Sequence, residues 1–88
     1  MQRRLPPLAS LRAFEAVVRL RSFKAAAAEL NVSSSAISHQ IRRLETELNC
    51  RLMQRNRTGV TLTAQGERYA FGVTRGMERL LEATEELL

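Results

Sequence analysis

The sequence predicts one mostly helical domain, built from a three-helix core, a two-stranded hairpin and a long C-terminal helix. Apolar residues recur at helical spacing through the first 48 residues, two short strand-like stretches then flank a turn, and a second helical pattern fills the rest of the chain. The chain has 88 residues, of which 44% are apolar, so its length suits one small domain with a modest core.

The first helix is predicted from Leu8 to Arg21. Before it, Pro6-Pro7 end a short basic arm that contains Arg3-Arg4, and proline is tolerated in the first turn of a helix. Apolar side chains then recur three or four residues apart and share one helix face: Leu8, Leu11, Phe14 and Val18.

Two further helices follow, joined by a short turn. The second is predicted from Phe23 to Leu30, with Ser22 as its N-cap and Asn31 in the turn, where asparagine tolerates a left-handed backbone. The third begins at the cap Ser33, ends at Leu48 and has an apolar stripe at helical spacing, formed by Ile37, Ile41, Leu44 and Leu48. A connection of about three residues between two helices is typical of a helix-turn-helix, here about residues 23–42.

The spacing of the apolar residues then changes from that of a helix to that of strands, which predicts a small hairpin over about residues 50–62. Cys50 to Arg55 and Val60 to Leu62 read as short strands, and the segment Asn56-Arg57-Thr58-Gly59 between them is rich in turn-forming residues.

The last helix is predicted from Ala64 to the C-terminus, with Thr63 as its cap. Its apolar or neutral residues alternate at spacings of three and four, which is the seam of a heptad repeat. The seam consists of Ala70, Val73, Met77, Leu80, Thr84 and Leu87, and Leu81 and Leu88 widen it.

The charge distribution predicts a polyanionic partner. Residues 1–65 contain eleven Lys or Arg against four acids, a net charge of +7, whereas residues 66–88 contain three Arg against five Glu, a net charge of −2. No carboxylate lies between Glu29 and Glu45, nor between Glu47 and Glu67. Two acid-free windows in a basic chain indicate two surfaces that face a polyanion, although an ordinary solvated surface is the alternative.

The candidate contacts lie at the start of the third helix and at the hairpin tip. In a helix-turn-helix the start of the second of the two helices enters the major groove of DNA, and hydroxyl and guanidinium groups there bind base edges or phosphates. On this basis the candidates are Ser33, Ser34, Ser35, Ser38, His39, Arg42, Arg43, Arg55 and Arg57. Capping and solvation of the serines, and ion pairs of Arg42 and Arg43 with Glu45 or Glu47, are the alternatives. The hairpin can equally be a passive clasp on the core.

Composition argues against several other classes of protein. One histidine and one cysteine, with acids mostly on exposed helical faces, provide neither a catalytic cluster nor a metal site, so we expect no enzyme and no cofactor. Cys50 is expected to be a small packed side chain, and a lone cysteine suits a reducing cytoplasm. The sequence has no apolar run long enough for a membrane span and nothing resembling a signal peptide at its start.

The order of these residues resembles the N-terminal domain of LysR-type transcriptional regulators. The match begins with Leu11-Arg12-Ala13-Phe14, Ser22-Phe23, Ala26-Ala27, Leu30 and the segment from Ser35 to Ile41. It continues with Leu44-Glu45, Leu48, Leu52, Arg55, Leu62-Thr63 and Gly66, and so covers essentially the whole chain. The segments from Arg4 to Leu8 and from Ser38 to Ile41 are most similar to the branch that contains the glycine-cleavage and beta-lactamase activators.

The resemblance implies a winged helix-turn-helix over residues 1–63 and a linker and dimerisation helix over residues 64–88. It implies that the helix from Ser33 to Leu48 lies in the major groove and that the wing, Arg55 to Gly59, lies on the backbone or in the minor groove. Carried over, Ser34, Ser35, Ser38 and His39 face the groove, and Ser33, Arg42, Arg43 and Arg55 lie near the backbone.

The sequence departs from the family pattern at three places. Many members have an arginine at the wing tip where Thr58 stands here, and Arg57 comes one residue earlier. Asn49 replaces the usual glycine after the third helix, and Met53 replaces a usual phenylalanine. Both replacements are compatible with the family fold, because asparagine accepts left-handed geometry and methionine fills apolar space.

The resemblance also implies an assembly. The family binds imperfect inverted repeats of double-stranded DNA as homodimers or tetramers, and a whole member has a larger effector-binding domain that this chain does not contain. A protein-interaction module is the main alternative function, because the heptad seam and a winged helix can both dock another protein.

Overall fold

The structure is a computed structural model that describes residues 4–88. Arg3, in the predicted basic arm, lies outside the described residues. Residues 4–88 form four helices and one hairpin in the order α1 (Leu8–Leu20), α2 (Phe23–Leu30), α3 (Ser34–Leu48), β1 (Met53–Asn56), β2 (Gly59–Leu62) and α4 (Ala64–Glu85).

Side chains cap three of the helices, as predicted. The Ser22 hydroxyl accepts from the Ala25 N–H at 3.0 Å, and the Ser33 hydroxyl accepts from the Ala36 N–H at 3.1 Å. The Thr63 hydroxyl does the same for the Gly66 N–H at 3.0 Å.

Helices α1, α2 and α3 each end at a residue with a left-handed backbone. Asn31 and Asn49 were predicted to do this, and their φ angles are 61° and 56°. Arg21 is the third such residue, with φ at 55°, so α1 ends one residue earlier than predicted. Helix α4 is also shorter than predicted, because it ends at Glu85 rather than at the C-terminus.

The first strand begins three residues later than predicted. The Cys50 N–H donates to the Glu45 carbonyl at 3.1 Å, which continues the end of α3. The Glu45 carboxylate then accepts from the backbone N–H groups of Leu52 and Met53 at 2.8 and 3.3 Å. Because the end of α3 binds these donors, Cys50 to Leu52 do not pair as a strand. The prediction of a strand from Cys50 is therefore wrong for these three residues.

The hairpin has a two-residue turn. Strands β1 and β2 pair antiparallel, with Asn56 opposite Gly59 and Met53 opposite Leu62, so only Arg57 and Thr58 form the turn. The predicted four-residue turn was two residues too long, since both of its flanking residues pair. Gly59 has a φ of 137°, which only glycine adopts without strain.

The core lies between α1, α2 and α3 and is closed on one side by α4. Its largest fully buried side chains include Phe14, Val17, Ile37, Leu44 and Leu52. On α4, Ala70 is buried in the same cluster, and the nearby Tyr69 ring lies 5.6 Å from the Phe14 ring, centroid to centroid. The first half of α4 is therefore part of the core and fixes where the rest of the helix projects.

Candidate nucleic-acid interface

Helix α3 has a buried aliphatic side and an exposed polar side, as the sequence predicted. Ile37, Ile41 and Leu44 have exposed fractions of 1%, 4% and 0%, so the aliphatic side faces the core. On the other faces, Ser35, His39, Arg42 and Arg43 are exposed, and Ser34 and Ser38 are half-buried. The helix therefore presents hydroxyl, imidazole and guanidinium groups to solvent.

A buried hydrogen bond fixes α3 against α1. Ser10, on α1, is completely buried, and its hydroxyl donates to the Gln40 side-chain oxygen at 2.6 Å. A buried hydroxyl is costly without a partner, so this bond favours one rotation of α3 about its axis. The sequence did not predict this pair. The position of Ser10, one residue before Leu11 on the inward face of α1, indicates burial of the hydroxyl but not the group that it binds.

The two arginines in the middle of α3 remain available. Their alternative partners are engaged elsewhere: Glu45 accepts from backbone N–H groups and lies 3.7 Å from the Arg51 Nε, and Glu47 lies 3.9 Å from an Arg4 nitrogen. Within residues 4–88 neither Arg42 nor Arg43 forms an ion pair. The alternative that these arginines serve mainly to pair along the helix is therefore wrong.

The first serines of α3 combine two roles. Ser33 caps the helix, and its hydroxyl oxygen also lies 3.1 Å from that of Ser35. Both side chains are exposed. Capping and exposure to a ligand are thus compatible here, because a hydroxyl has two acceptor lone pairs and one donor.

Arg55 connects the hairpin to both helices of the helix-turn-helix. Its guanidinium carbon lies 4.3 Å from the centroid of the Phe23 ring, at the start of α2, and its Nη1 donates to the Ser38 hydroxyl at 3.3 Å. At the tip, Arg57 and Thr58 are both exposed. The hairpin is therefore a clasp on the core and also an exposed basic lobe.

The acids that precede α3 are paired with one arginine. Arg19 donates from Nε to Glu15 at 2.9 Å and from Nη1 to Glu29 at 3.0 Å. These bonds raise the pKa of Arg19 above its already high value, and the bond from Arg19 lowers the pKa of Glu29 below its ordinary value. Glu29 is the last acid before the acid-free start of α3, and its charge is compensated by Arg19.

The predicted dimer seam divides into two parts. Ala70 is only 7% exposed within the chain's own core, so it has almost no surface for a partner, and its prediction as an interface residue needs correction. The periodicity was right, but this part of the helix packs inward. Val73 and Met77 are half-buried against the core, whereas Leu80 and Leu81 are each 58% exposed and Leu87 is 89% exposed.

An apolar groove of about 430 Å³ runs along α4 beside the start of α1. Its lining includes Leu5, Leu8 and Leu80, which are exposed. Gly72 and Gly76 also line it, and a Cβ atom built on either would meet nothing within 4 Å. This face of α4 is therefore apolar and accessible, and it has no side chain at Gly72 and Gly76.

Other kinds of site find little support in the part of the chain that is described. No helix there is long and apolar enough to cross a membrane, and nowhere do three or more His, Cys, Asp or Glu side chains come together as a metal site would need. Cys50 is half-buried and packs against the core, as predicted.

The fold and the exposed side of α3 together define a winged helix-turn-helix domain whose third helix presents basic and hydroxyl groups. A family model described as "Bacterial regulatory helix-turn-helix protein, lysR family" matches residues 8–67. The chain belongs to this family of bacterial regulatory proteins.

Named relatives support the same branch that the sequence indicated. The chain is 46% identical over 88 residues to the glycine cleavage system transcriptional activator homolog of Haemophilus influenzae, a match that covers 100% of this chain and 29% of that protein. It is 55% identical over 67 residues to the transcriptional activator AmpR of Yersinia enterocolitica, covering 76% of this chain and 23% of AmpR. The chain thus spans less than a third of the length of these relatives.

Solved structures confirm the predicted fold class. The probable transcriptional regulator PA0477 from Pseudomonas aeruginosa matches with a TM-score of 0.87 and 36% identity, covering 98% of this chain and 28% of that one. The CbnR DNA-binding domain, in a crystal structure with DNA, matches with a TM-score of 0.77 and 31% identity, covering 89% of this chain and 90% of that domain.

Proposed function

We propose that this chain is the DNA-binding domain of a bacterial transcriptional regulator and that it binds double-stranded DNA with sequence specificity. The observation that carries the proposal is the division of α3 into a buried aliphatic side and an exposed side with Ser35, His39, Arg42 and Arg43. An α-helix fits the major groove, where hydroxyl and imidazole groups reach base edges and guanidinium groups reach phosphates. The DNA complex of the similar CbnR domain supports this proposal.

The proposed contacts come from two elements. Helix α3 enters the major groove, and the hairpin is a wing that lies on the backbone or in the minor groove. The proposed set is Ser33, Ser34, Ser35, Ser38, His39, Arg42, Arg43, Arg55, Arg57 and Thr58. Within it, Ser35 and His39 are the best placed to read bases, since they are exposed on the first two turns of α3.

We propose further that residues 64–88 form a linker and dimerisation helix, in accordance with the family resemblance. The exposed Leu80, Leu81 and Leu87 support a second copy as the partner, with Thr84, Val73 and Met77 beside them. Residues 64–75 contain two arginines and one glutamate, whereas residues 76–88 contain one arginine and four glutamates. An antiparallel pair of helices brings these opposite charges together, and a homodimer then binds an imperfect inverted repeat.

The remaining proposals concern the whole regulator. The relatives are more than three times as long as this chain, and we propose that a full-length protein adds an effector-binding domain and assembles as a dimer or tetramer. A cytoplasmic location accords with such a regulator. We propose no enzymatic activity and no cofactor for this domain.

Selection of bound sequences from a random DNA pool, followed by gel-shift titrations over a range of salt concentration, tests the proposal. Each phosphate contact contributes about 0.9 to the slope of log affinity against log salt. Arg42→Ala is expected to weaken binding to every sequence and to reduce the slope by about 1. His39→Ala is instead expected to change which sequence is preferred. Arg79→Ala removes the same charge from the far half of α4 and is the matched control.

The competing function is a protein-docking module, which the apolar face of α4 favours. A wild-type domain that gives no gel shift with any duplex at moderate salt, although correctly folded, would favour docking. Retention of both affinity and preference in Arg42→Ala and His39→Ala would show that α3 is not the element that contacts DNA.

A further inference from the structure

A completely buried hydroxyl of α1 holds the helix that carries the proposed base contacts. Ser10 has no exposed surface, and its hydroxyl donates to the Gln40 side-chain oxygen at 2.6 Å. Gln40 directly follows His39 on α3. We propose that Ser10 is a positioning residue for base recognition: it does not touch DNA, and through Gln40 it sets the rotation of α3 and with it the sequence preference of the domain. The inference rests on the proposed DNA binding and adds a residue from outside the helix-turn-helix.

The apolar contacts of α3 determine its rotation less closely than this bond does. Burial of Ile37, Ile41 and Leu44 fixes which side of the helix faces the core, but the hydrophobic effect has no preferred direction. A hydrogen bond, in contrast, weakens steeply when its angle departs from the optimum, and a buried donor that loses its partner is costly. The bond between Ser10 and Gln40 therefore resists a small rotation of α3.

Other side-chain hydrogen bonds of α3 join it to later elements. Glu45, in the last turn of the helix, accepts from two backbone N–H groups just before and at the start of β1. The Ser38 hydroxyl accepts from Arg55 in β1, but these side chains are exposed and the distance is longer, at 3.3 Å. Among residues 4–88, the bond from Ser10 to Gln40 is the only side-chain hydrogen bond that joins α1 to α3. No other bond of this kind replaces it when it is removed.

A small rotation of α3 is enough to lose a base contact. With side chains an α-helix is about 10–12 Å wide, so a turn of about 10° moves an atom at its surface by about 1 Å. Recognition groups have to be held to within about 0.5 Å of their productive geometry. Ser35 and His39, the exposed residues proposed to read bases, move by this amount. Long arginine side chains can adjust to such a shift, and their phosphate contacts carry no sequence information, so discrimination falls more than overall affinity.

The test measures base discrimination separately from stability. Discrimination is the affinity for a duplex that the wild-type domain selects from a random pool, divided by the affinity for a scrambled duplex of the same length and composition. Gel-shift titrations give both values. The variants are Ser10→Ala, which removes the donor, and the double variant Ser10→Ala/Gln40→Met, which replaces both polar groups by apolar ones. Val17→Ala is the matched control, because it removes buried atoms from the same helix but no hydrogen bond.

The expected result is a loss of discrimination that does not follow stability. Ser10→Ala should reduce the ratio about tenfold, which is the contribution of one base contact, and keep the affinity for the scrambled duplex within about twofold. The double variant should regain stability in urea unfolding, since neither polar group is then buried without its partner, but should not regain the ratio. Val17→Ala should lose stability and keep the ratio.

Three results would overturn the positioning role. The double variant could recover the ratio together with its stability, or Val17→Ala could lose the ratio as Ser10→Ala does; discrimination would then simply follow stability. An unchanged ratio in both Ser10 variants also excludes the role, although sequence-specific DNA binding then still stands. If Ser10→Ala does not fold, which circular dichroism detects, the ratio of the double variant decides. If the wild type selects and binds no duplex, the proposed function fails and this inference fails with it.

Discussion

The contact between α4 and the segment before β1 leaves no room for a side chain at Gly66. A Cβ atom at this position would lie 1.8 Å from the Leu52 carbonyl oxygen and 2.8 Å from its carbon, whereas ordinary contacts begin at about 3.4 Å. Gly66→Ala must therefore separate two pieces of backbone by more than an ångström. Leu52 is a poor candidate to move, because its side chain is buried in the core and its N–H is bound to Glu45.

We expect the first turn of α4 to move away instead, at a cost that the structure allows us to estimate. Two hydrogen bonds hold this turn, from the Thr63 N–H to the Leu52 carbonyl at 3.0 Å and from the Thr63 hydroxyl to the Arg51 carbonyl at 2.7 Å. Each contributes roughly 1 kcal/mol. Overpacking adds about 1–3 kcal/mol. The higher helix propensity of alanine offsets about 1 kcal/mol of this loss.

The expected net loss in the free energy of unfolding for Gly66→Ala is therefore about 2–4 kcal/mol. For a domain of this size it corresponds to a fall in Tm of roughly 10–25 °C. Thermal and urea unfolding followed by circular dichroism measure it. Gly72→Ala is the control, because a Cβ there meets nothing within 4 Å, and it should be neutral or stabilising. A Gly66→Ala domain as stable as the wild type would refute the reasoning.

Three further predictions concern a buried hydrogen bond, the proposed dimer face and an ion pair. Ser10→Ala leaves the Gln40 oxygen without its donor and should lower the free energy of unfolding by about 1–3 kcal/mol in urea titrations; no change would mean that the bond does not fix α3. Leu81→Lys should raise the dimer dissociation constant at least tenfold in sedimentation equilibrium, and unchanged dimers would exclude this face. Arg19 lowers the pKa of Glu29, so the stability of this pair is present at neutral pH and lost as the pH falls through the lowered pKa. Glu29→Gln should therefore destabilise the domain at neutral pH and have a smaller effect at a pH low enough to protonate the carboxylate, and an equal effect at both would contradict this.

The helices were predictable because local side chains encode their ends. A hydroxyl at Ser22, Ser33 or Thr63 binds an N–H only three residues away, and Asn31 and Asn49 adopt left-handed geometry by their own chemistry. Such signals do not depend on the rest of the fold. The buried stripe of α3 was predictable for a similar reason, since its 3.6-residue period lies within one helix.

Several failures came from contacts between residues that are not neighbours in the sequence. The start of β1 was predicted wrongly because the Glu45 side chain binds N–H groups seven and eight residues later. The bond between Ser10 and Gln40 joins positions 30 residues apart, and nothing in either local pattern indicates it. Heptad spacing likewise cannot show which side of α4 faces its own core, so it identified the stripe but not the burial of Ala70.

The carboxylate of Glu45 has a consequence for how the domain meets DNA. By binding the backbone just before the hairpin, it fixes the distance and angle between α3 and the wing in the free protein. If α3 and the wing both contact DNA as proposed, the duplex has to bend or twist to meet both elements at once. Under that proposal, we expect base steps that deform easily to be favoured even where no side chain contacts them.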